Sequence, residues 1–209
     1  MANSLKRNGI EREPSDLSRP LIAGDEYFYE QGSRKGMSQR NPEDKIALWT
    51  KYQAIVLKEA GIDPRPDLIK SLLFDMQNTS YEMVLFEDVL PAFDALQKQG
   101  KVLGLISNID TDVQPLLAKL GIAEWLKVRM TSAEAGVTKP HPGIFDRAVL
   151  KTGFPNHEVL YVGDQYQIDV LGARGAGLRA LLIDRLGSFD DVPSADKIQS
   201  LTDISAHLA

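Results

Sequence analysis

Apolar residues keep two different rhythms along the chain, and the change falls near residue 80. Before it they recur at three and four residues, the spacing of one helical face. Leu21, Gly24 and Phe28 share such a face behind Ser18, which can cap a helix with Pro20 in its first turn. The polar stretch Gln31 to Arg40, with Gly32, Ser33, Gly36 and Ser38, reads as a loop. Asn41-Pro42-Glu43-Asp44 then gives a cap residue, a proline at the first helical position and acids in the first turn. Ile46, Trp49, Tyr52, Val56 and Ala60 continue at helical spacing until Gly61. Pro64 and Pro66 mark a loop, and Leu68, Ile69, Leu72, Leu73 and Met76 predict a third helix. The aromatic side chains Tyr27, Phe28, Tyr29, Trp49 and Tyr52 fall on these helices, where packing accounts for them.

After Thr79 short branched runs alternate with amphipathic ones. Phe86 to Gln99 reads as a linker and a helix closed by Gly100. Strands are predicted at Val102–Ile106, Val128–Thr131, Leu160–Val162 and Ala180–Ile183. Helices are predicted at Val113–Leu120, Ile144–Leu150 and about Ile168 to Ala176, and a last amphipathic helix carries Leu201, Ile204 and Leu208. Strands that alternate with helices imply βαβ units and a parallel sheet. The expectation is an α/β protein: a helical lobe over residues 1–80 and a Rossmann-like parallel core over residues 81–209.

Parallel sheets place ligands outside the carboxyl ends of their strands, and three such positions carry chemistry. Val102–Ile106 runs into Ser107-Asn108. A hydroxyl and backbone N–H groups at that turn can cradle an anion, although either residue could equally cap the next helix. Lys139 precedes Pro140, which disfavours helical geometry at the lysine. A cation held there can face a phosphoryl group, or it can simply be solvated. Val159 to Val162 stops at Gly163-Asp164, and Asp169 follows one turn later. Asp164 could cap a helix, but capping leaves the second carboxylate unexplained. Magnesium commonly takes one or two protein carboxylates.

In this order the three positions resemble the haloacid dehalogenase superfamily, in its subfamily with a helical cap near the N-terminus and its rhythmically-expressed-gene-like branch. Leu105-Ile106-Ser107-Asn108 resembles the second motif, Thr138-Lys139-Pro140-His141-Pro142-Gly143-Ile144-Phe145 the third, and Val162-Gly163-Asp164 with Asp169 the fourth. The likeness covers residues 80–185, and the helical region before them resembles the cap. It implies a hydrolase that cleaves a small phosphate ester through an aspartyl-phosphate with Mg²⁺. Ser107 and the Asn108 backbone would hold the phosphoryl oxygens, and Lys139 would neutralise charge. Asp164 would bind the metal. Asp169 would bind it directly, bind it through water, or orient Lys139.

The family's first motif, a strand ending in Asp-x-Asp whose first Asp is the nucleophile, has no counterpart here. Asp16 and Asp25 follow no apolar run, and Asp110-Thr111-Asp112 lies past the second motif, where it opens a helix. In the family that strand is central, between the strands ending at Ser107 and Gly163. The chain is therefore expected to leave a gap in its sheet or to borrow a strand. Three explanations stand: a chain begun at an internal Met with residues upstream, a non-catalytic relative that binds or regulates, and a strand supplied by another chain. Another reaction of the family, dehalogenation or phosphate-group mutation, is a further alternative, but the Gly163-Asp164 carboxylate favours metal and phosphate over halide.

Composition narrows the setting. The net charge of −5 disfavours non-specific nucleic-acid binding. No cysteine is present, which removes disulfides, thiolate metal sites and a cysteine nucleophile and fits a cytoplasmic protein. No apolar run reaches membrane-spanning length. Gly172-Ala173-Arg174-Gly175-Ala176-Gly177 has the order G-x-x-G-x-G at a helix end, which suits close packing and a C-cap rather than a dinucleotide loop. The expected partner is a small phosphorylated metabolite, with oligomerisation left open.

Overall fold

The computed structural model describes residues 1–80 and 82–208. The chain divides into two compact units, Met1–Glu82 and Met83–Ala209.

The first unit is helical: α1 (Ala2–Arg7), α2 (Ser18–Arg34), α3 (Pro42–Glu59) and α4 (Pro66–Asn78). Asn41 caps α3 as its sequence predicts, with Oδ1 accepting from Asp44 N at 2.7 Å and Pro42 at the first position. Leu5, Leu17, Leu57, Ile62, Leu68 and Leu72 build one core. Trp49 stacks on Phe28 (4.9 Å) and meets Tyr52 edge-on (5.3 Å), so these aromatics do pack together. A Cβ on Gly24 would lie 2.6 Å from Val56 Cγ2, which is why α2 and α3 meet at a glycine.

Three expectations for this unit change. Ser18 does not cap α2, because a 3₁₀ turn over Pro14–Leu17 runs directly into the helix and the capping residues, Glu13 and Asp16, sit one turn earlier. Gln31 to Arg34 is helix rather than loop, held by the Arg34–Glu30 ion pair one turn apart (2.5 Å). Helix α1, which no periodic pattern announces, forms around the single buried side chain of Leu5.

The second unit is α/β. It runs α5 (Val89–Lys98), β1 (Leu103–Ser107), α6 (Gln114–Lys119), β2 (Leu126–Thr131), α7 (Ser132–Ala135), α8 (Pro142–Thr152), β3 (Leu160–Gly163), α9 (Leu171–Gly175), β4 (Arg179–Ile183) and β5 (Lys197–Ile198). The four predicted strands form, and every pairing is parallel. β4 reads with period two: Ala180 and Leu182 enter the core of Phe145, Ile144 and Val170, while Leu181 enters the core of Leu96, Ile198 and Ile204. Two helices differ from their predicted form. The turn before α9 is a π-turn over Tyr166–Val170, and the last amphipathic run is a 3₁₀ helix over Leu201–His207.

The strands form two sheets, β1-β2 and β3-β4-β5. Among the described residues no strand pairs with the facing edges of β1 and β3. A cleft of about 700 Å³ lies there, walled by Leu103, Leu105 and Ile106 on one side and Leu160 and Val162 on the other. No residue of β1 or β3 is fully buried, whereas β2 and β4 are buried over most of their length. The predicted gap is thus a feature of the fold.

Candidate active site

The carboxyl ends of β1 and β3 are tied together by Lys139. Asn108, the residue after β1, grips the lysine backbone twice: Oδ1 accepts from Lys139 N at 2.7 Å, and Nδ2 donates to Lys139 O at 3.1 Å. The Lys139–Pro140 peptide that follows is cis. From the anchored backbone the lysine side chain reaches the other wall, donating to Asp169 Oδ1 at 2.6 Å and to the Tyr161 hydroxyl at 3.0 Å. Tyr161 lies in β3 and Asp169 in the π-turn behind it. Neither Ser107 nor Asn108 caps a helix, since α6 starts only at Gln114, where Asp112 Oδ1 accepts from Gln114 N at 2.9 Å.

Asp169 is 2% exposed, and both its oxygens are engaged. Oδ1 accepts from Lys139 and, at 3.0 Å, from the Tyr161 hydroxyl; Oδ2 accepts from Gln165 N at 3.0 Å. A buried charge needs such partners. Two sequence features create the niche. The π-turn closes with Leu171 N donating to Tyr166 O, and at its start Asp169 N donates to Gln165 O at 2.7 Å, which turns the carboxylate back toward β3. Gly163 leaves room for it: a Cβ there would overlap the Asp169 carboxylate. Gly172 serves similarly, allowing Pro140 and Phe145 against α9.

Asp164 is exposed and caps no helix; the residue before the π-turn is Gln165, with no side-chain cap. Protein atoms crowd its carboxyl on the sides away from solvent. That desolvation, and then the charge of Asp169, hold its pKa above the usual carboxylate value, against the pull of Lys139. Ser107 ends β1, half-buried and in register with Thr131. Asn108, Lys139 and Asp169 are therefore one bonded chain, with Ser107 and Asp164 at the adjoining strand ends. No motif in the sequence points to Tyr161. Its only signal is its place in the strand, two residues before Gly163.

A magnesium ion prefers oxygen donors. Asp164 offers an exposed carboxylate just past the end of β3, so the donor chemistry present suits such an ion. Asp169, with both oxygens engaged by protein donors, suits the supporting position. Among the described residues no cluster of three or more metal-ligating side chains occurs, and no helix is long and apolar enough to cross a membrane.

A family model for haloacid dehalogenase-like hydrolases matches residues 26–183. The chain is 31% identical over 167 residues to a glyceraldehyde 3-phosphate phosphatase of Methanopyrus kandleri, covering 74% of this chain and 71% of that protein. It is 38% identical over 130 residues to a phosphoserine phosphatase of Thermus thermophilus, covering 62% and 51%. It is 28% identical over 188 residues to the human haloacid dehalogenase-like hydrolase domain-containing protein 3, covering 87% and 72%. In fold it is similar to a magnesium-bound HAD hydrolase of Bacillus subtilis, with TM-score 0.59 and 17% identity over 99% of this chain and 87% of that one. A HAD phosphatase of Thermococcus onnurineus gives TM-score 0.55 and 21% identity, covering 91% of both chains. Together with the parallel α/β unit and the site at its strand ends, these matches show that the chain belongs to the haloacid dehalogenase-like hydrolase family.

Proposed function

We propose that the protein is a Mg²⁺-dependent phosphatase of small phosphate esters, working through an aspartyl-phosphate in a form that carries a further strand between β1 and β3. The observation that carries this reading is Lys139, hydrogen-bonded through Asn108 to one wall of the cleft and through Asp169 and Tyr161 to the other. A cation fixed across an empty strand position neutralises whatever carboxylate and phosphoryl group meet there. Phosphoryl transfer depends mainly on such positioning and charge stabilisation. Ser107 and the Asn108 backbone hold phosphoryl oxygens. Lys139 supplies the fixed positive charge, and Asp169 keeps the lysine in place. Asp164 would hold the magnesium ion, which would supply further positive charge at the site. The relatives named as phosphatases of glyceraldehyde 3-phosphate and phosphoserine support small phosphorylated metabolites as the substrate class.

The cleft also favours a second reading, a binding or regulatory protein that keeps the anion and cation sites without turnover. One experiment separates the two. This chain and a form extended by the residues encoded upstream of Met1 are assayed with Mg²⁺ against a panel of small phosphate esters, with and without chelator. Chelator-sensitive turnover by the extended form is expected. An extended form that supplies a strand ending in Asp yet stays inert across the panel refutes the phosphatase.

A further inference from the structure

We propose that Tyr161 is a positioning residue: its hydroxyl, together with the Asp169 carboxylate, sets the direction of the Lys139 ammonium. The inference rests on the phosphatase reading for its effect on turnover, but not for its geometry. A lysine ammonium carries three N–H donors. One is taken by Asp169 Oδ1 at 2.6 Å and a second by the Tyr161 oxygen at 3.0 Å. The Tyr161 hydroxyl gives its own proton to Asp169 Oδ1 at 3.0 Å. These three contacts close a triangle. An ammonium bound to a carboxylate alone can still turn about that bond. One held at two corners cannot, so the direction of the remaining N–H is set.

The triangle is itself held from outside. The Tyr161 ring packs edge-on against Phe145, which is fully buried, at 5.2 Å and 89°. The Lys139 Nζ lies 5.7 Å from the Tyr161 ring centroid. The side chains of Lys139 and Asp169 are 13% and 3% exposed, so water does not compete freely for these bonds. If the tyrosine were present only for packing, a phenylalanine would serve as well. The hydroxyl is explained by the two charged groups it joins.

The test is Tyr161→Phe, which keeps the ring against Phe145 and removes both hydroxyl contacts. The 209-residue chain is labelled with ¹⁵N-lysine, and its ammonium signals are recorded by NMR, with Lys139 assigned by its loss in Lys139→Arg. A pinned ammonium exchanges slowly enough to give a resolved signal. We expect that signal in the wild type and its loss by broadening in Tyr161→Phe, with the far-ultraviolet circular dichroism of the folded chain retained. An absent wild-type signal, or one equally sharp in Tyr161→Phe, overturns the proposal. In the extended, turning-over form, the same substitution is expected to lower kcat about tenfold while KM stays within about twofold, because a misdirected charge costs more in the transition state than in binding. An unchanged kcat also overturns it. Failure of the wild-type extended form to turn over any ester refutes the phosphatase reading instead, and the NMR comparison still decides Tyr161.

Discussion

Asp169→Ala isolates the energetics of the site. The substitution removes a carboxylate that is 2% exposed and takes three donors, Lys139 Nζ, the Tyr161 hydroxyl and Gln165 N. It leaves the Lys139 ammonium, on a side chain 13% exposed, with Tyr161 as its hydrogen-bond partner and the charge of Asp164 nearby but not bonded to it. Breaking a buried pair from one side costs about 3–5 kcal/mol, because the surviving charge remains desolvated. Removing the stranded charge as well, in Asp169→Ala with Lys139→Met, is expected to restore about 2 kcal/mol, since a buried pair replaced by apolar groups is close to neutral. The assay is urea unfolding at neutral pH with chelator. Trp49 and Trp125 lie in different units, so fluorescence of Trp125 in a Trp49→Phe background reports the second unit alone. With a slope of about 2 kcal/mol per molar urea, the single variant moves the midpoint down by roughly 1.5–2.5 M. A single variant that costs under about 1 kcal/mol, or a double variant less stable than the single, refutes the claim that Asp169 chiefly answers the lysine charge.

Two further outcomes are expected. Asp88 accepts from Arg185 through both guanidinium nitrogens (2.7 and 3.0 Å), from Ser200 Oγ (2.9 Å) and from Leu201 N (2.8 Å), with Arg185 the main cause of a pKa lowered to about 2. A lowered folded-state pKa stabilises above the unfolded value and loses that contribution as pH falls through the folded one; the advantage over Asp88→Asn should be about 2 kcal/mol near neutrality and fade between about pH 4 and pH 2, and a gap that widens on acidification contradicts it. Amide exchange should alternate along β1 and β3, because successive amides of a strand face opposite sides and only one side is paired; uniform protection along β1 counts against an open edge.

Much of the fold was legible because its rules are local. Asn41-Pro42 marks the start of α3, and the short branched runs are strands. The misses have tertiary causes. The π-turn at Tyr166–Val170 follows from the engagement of Asp169 with Gln165 and Lys139, which no helical periodicity records. Helix α1 rests on Leu5 meeting Leu57 and Leu68, contacts more than fifty residues apart in sequence. Within the site, Ser107, Asn108, Lys139, Asp164 and Asp169 stood out as polar groups at strand ends. The different surroundings of the two aspartates, one buried and bonded and the other exposed, did not. They depend on burial and on which oxygen meets which donor, and the same is true of Tyr161, whose hydroxyl matters only because of where its ring is packed.

The cleft is where sequence and structure conflict most informatively. Leu103-Gly104-Leu105-Ile106 and Leu160-Tyr161-Val162 are apolar on both faces, the composition of central strands covered on both sides of a parallel sheet. An exposed edge is normally blunted by charge, proline or a bulge, yet apart from a register shift between Leu103 and the exposed Gly104 the stretches of β1 and β3 that wall the cleft are apolar and half-buried, with no charge or proline. Chains whose local composition and tertiary position disagree are under a functional or assembly constraint. Burying about five apolar side chains between these walls would contribute roughly 7–15 kcal/mol, comparable to the whole net stability of a typical domain, about 5–15 kcal/mol. A strand there would also stand beside Ser107, Lys139 and Asp164 at its carboxyl end. The requirements of folding and of the proposed chemistry therefore meet in one place: the element that would complete the sheet is also the element that would bring a nucleophile to the lysine.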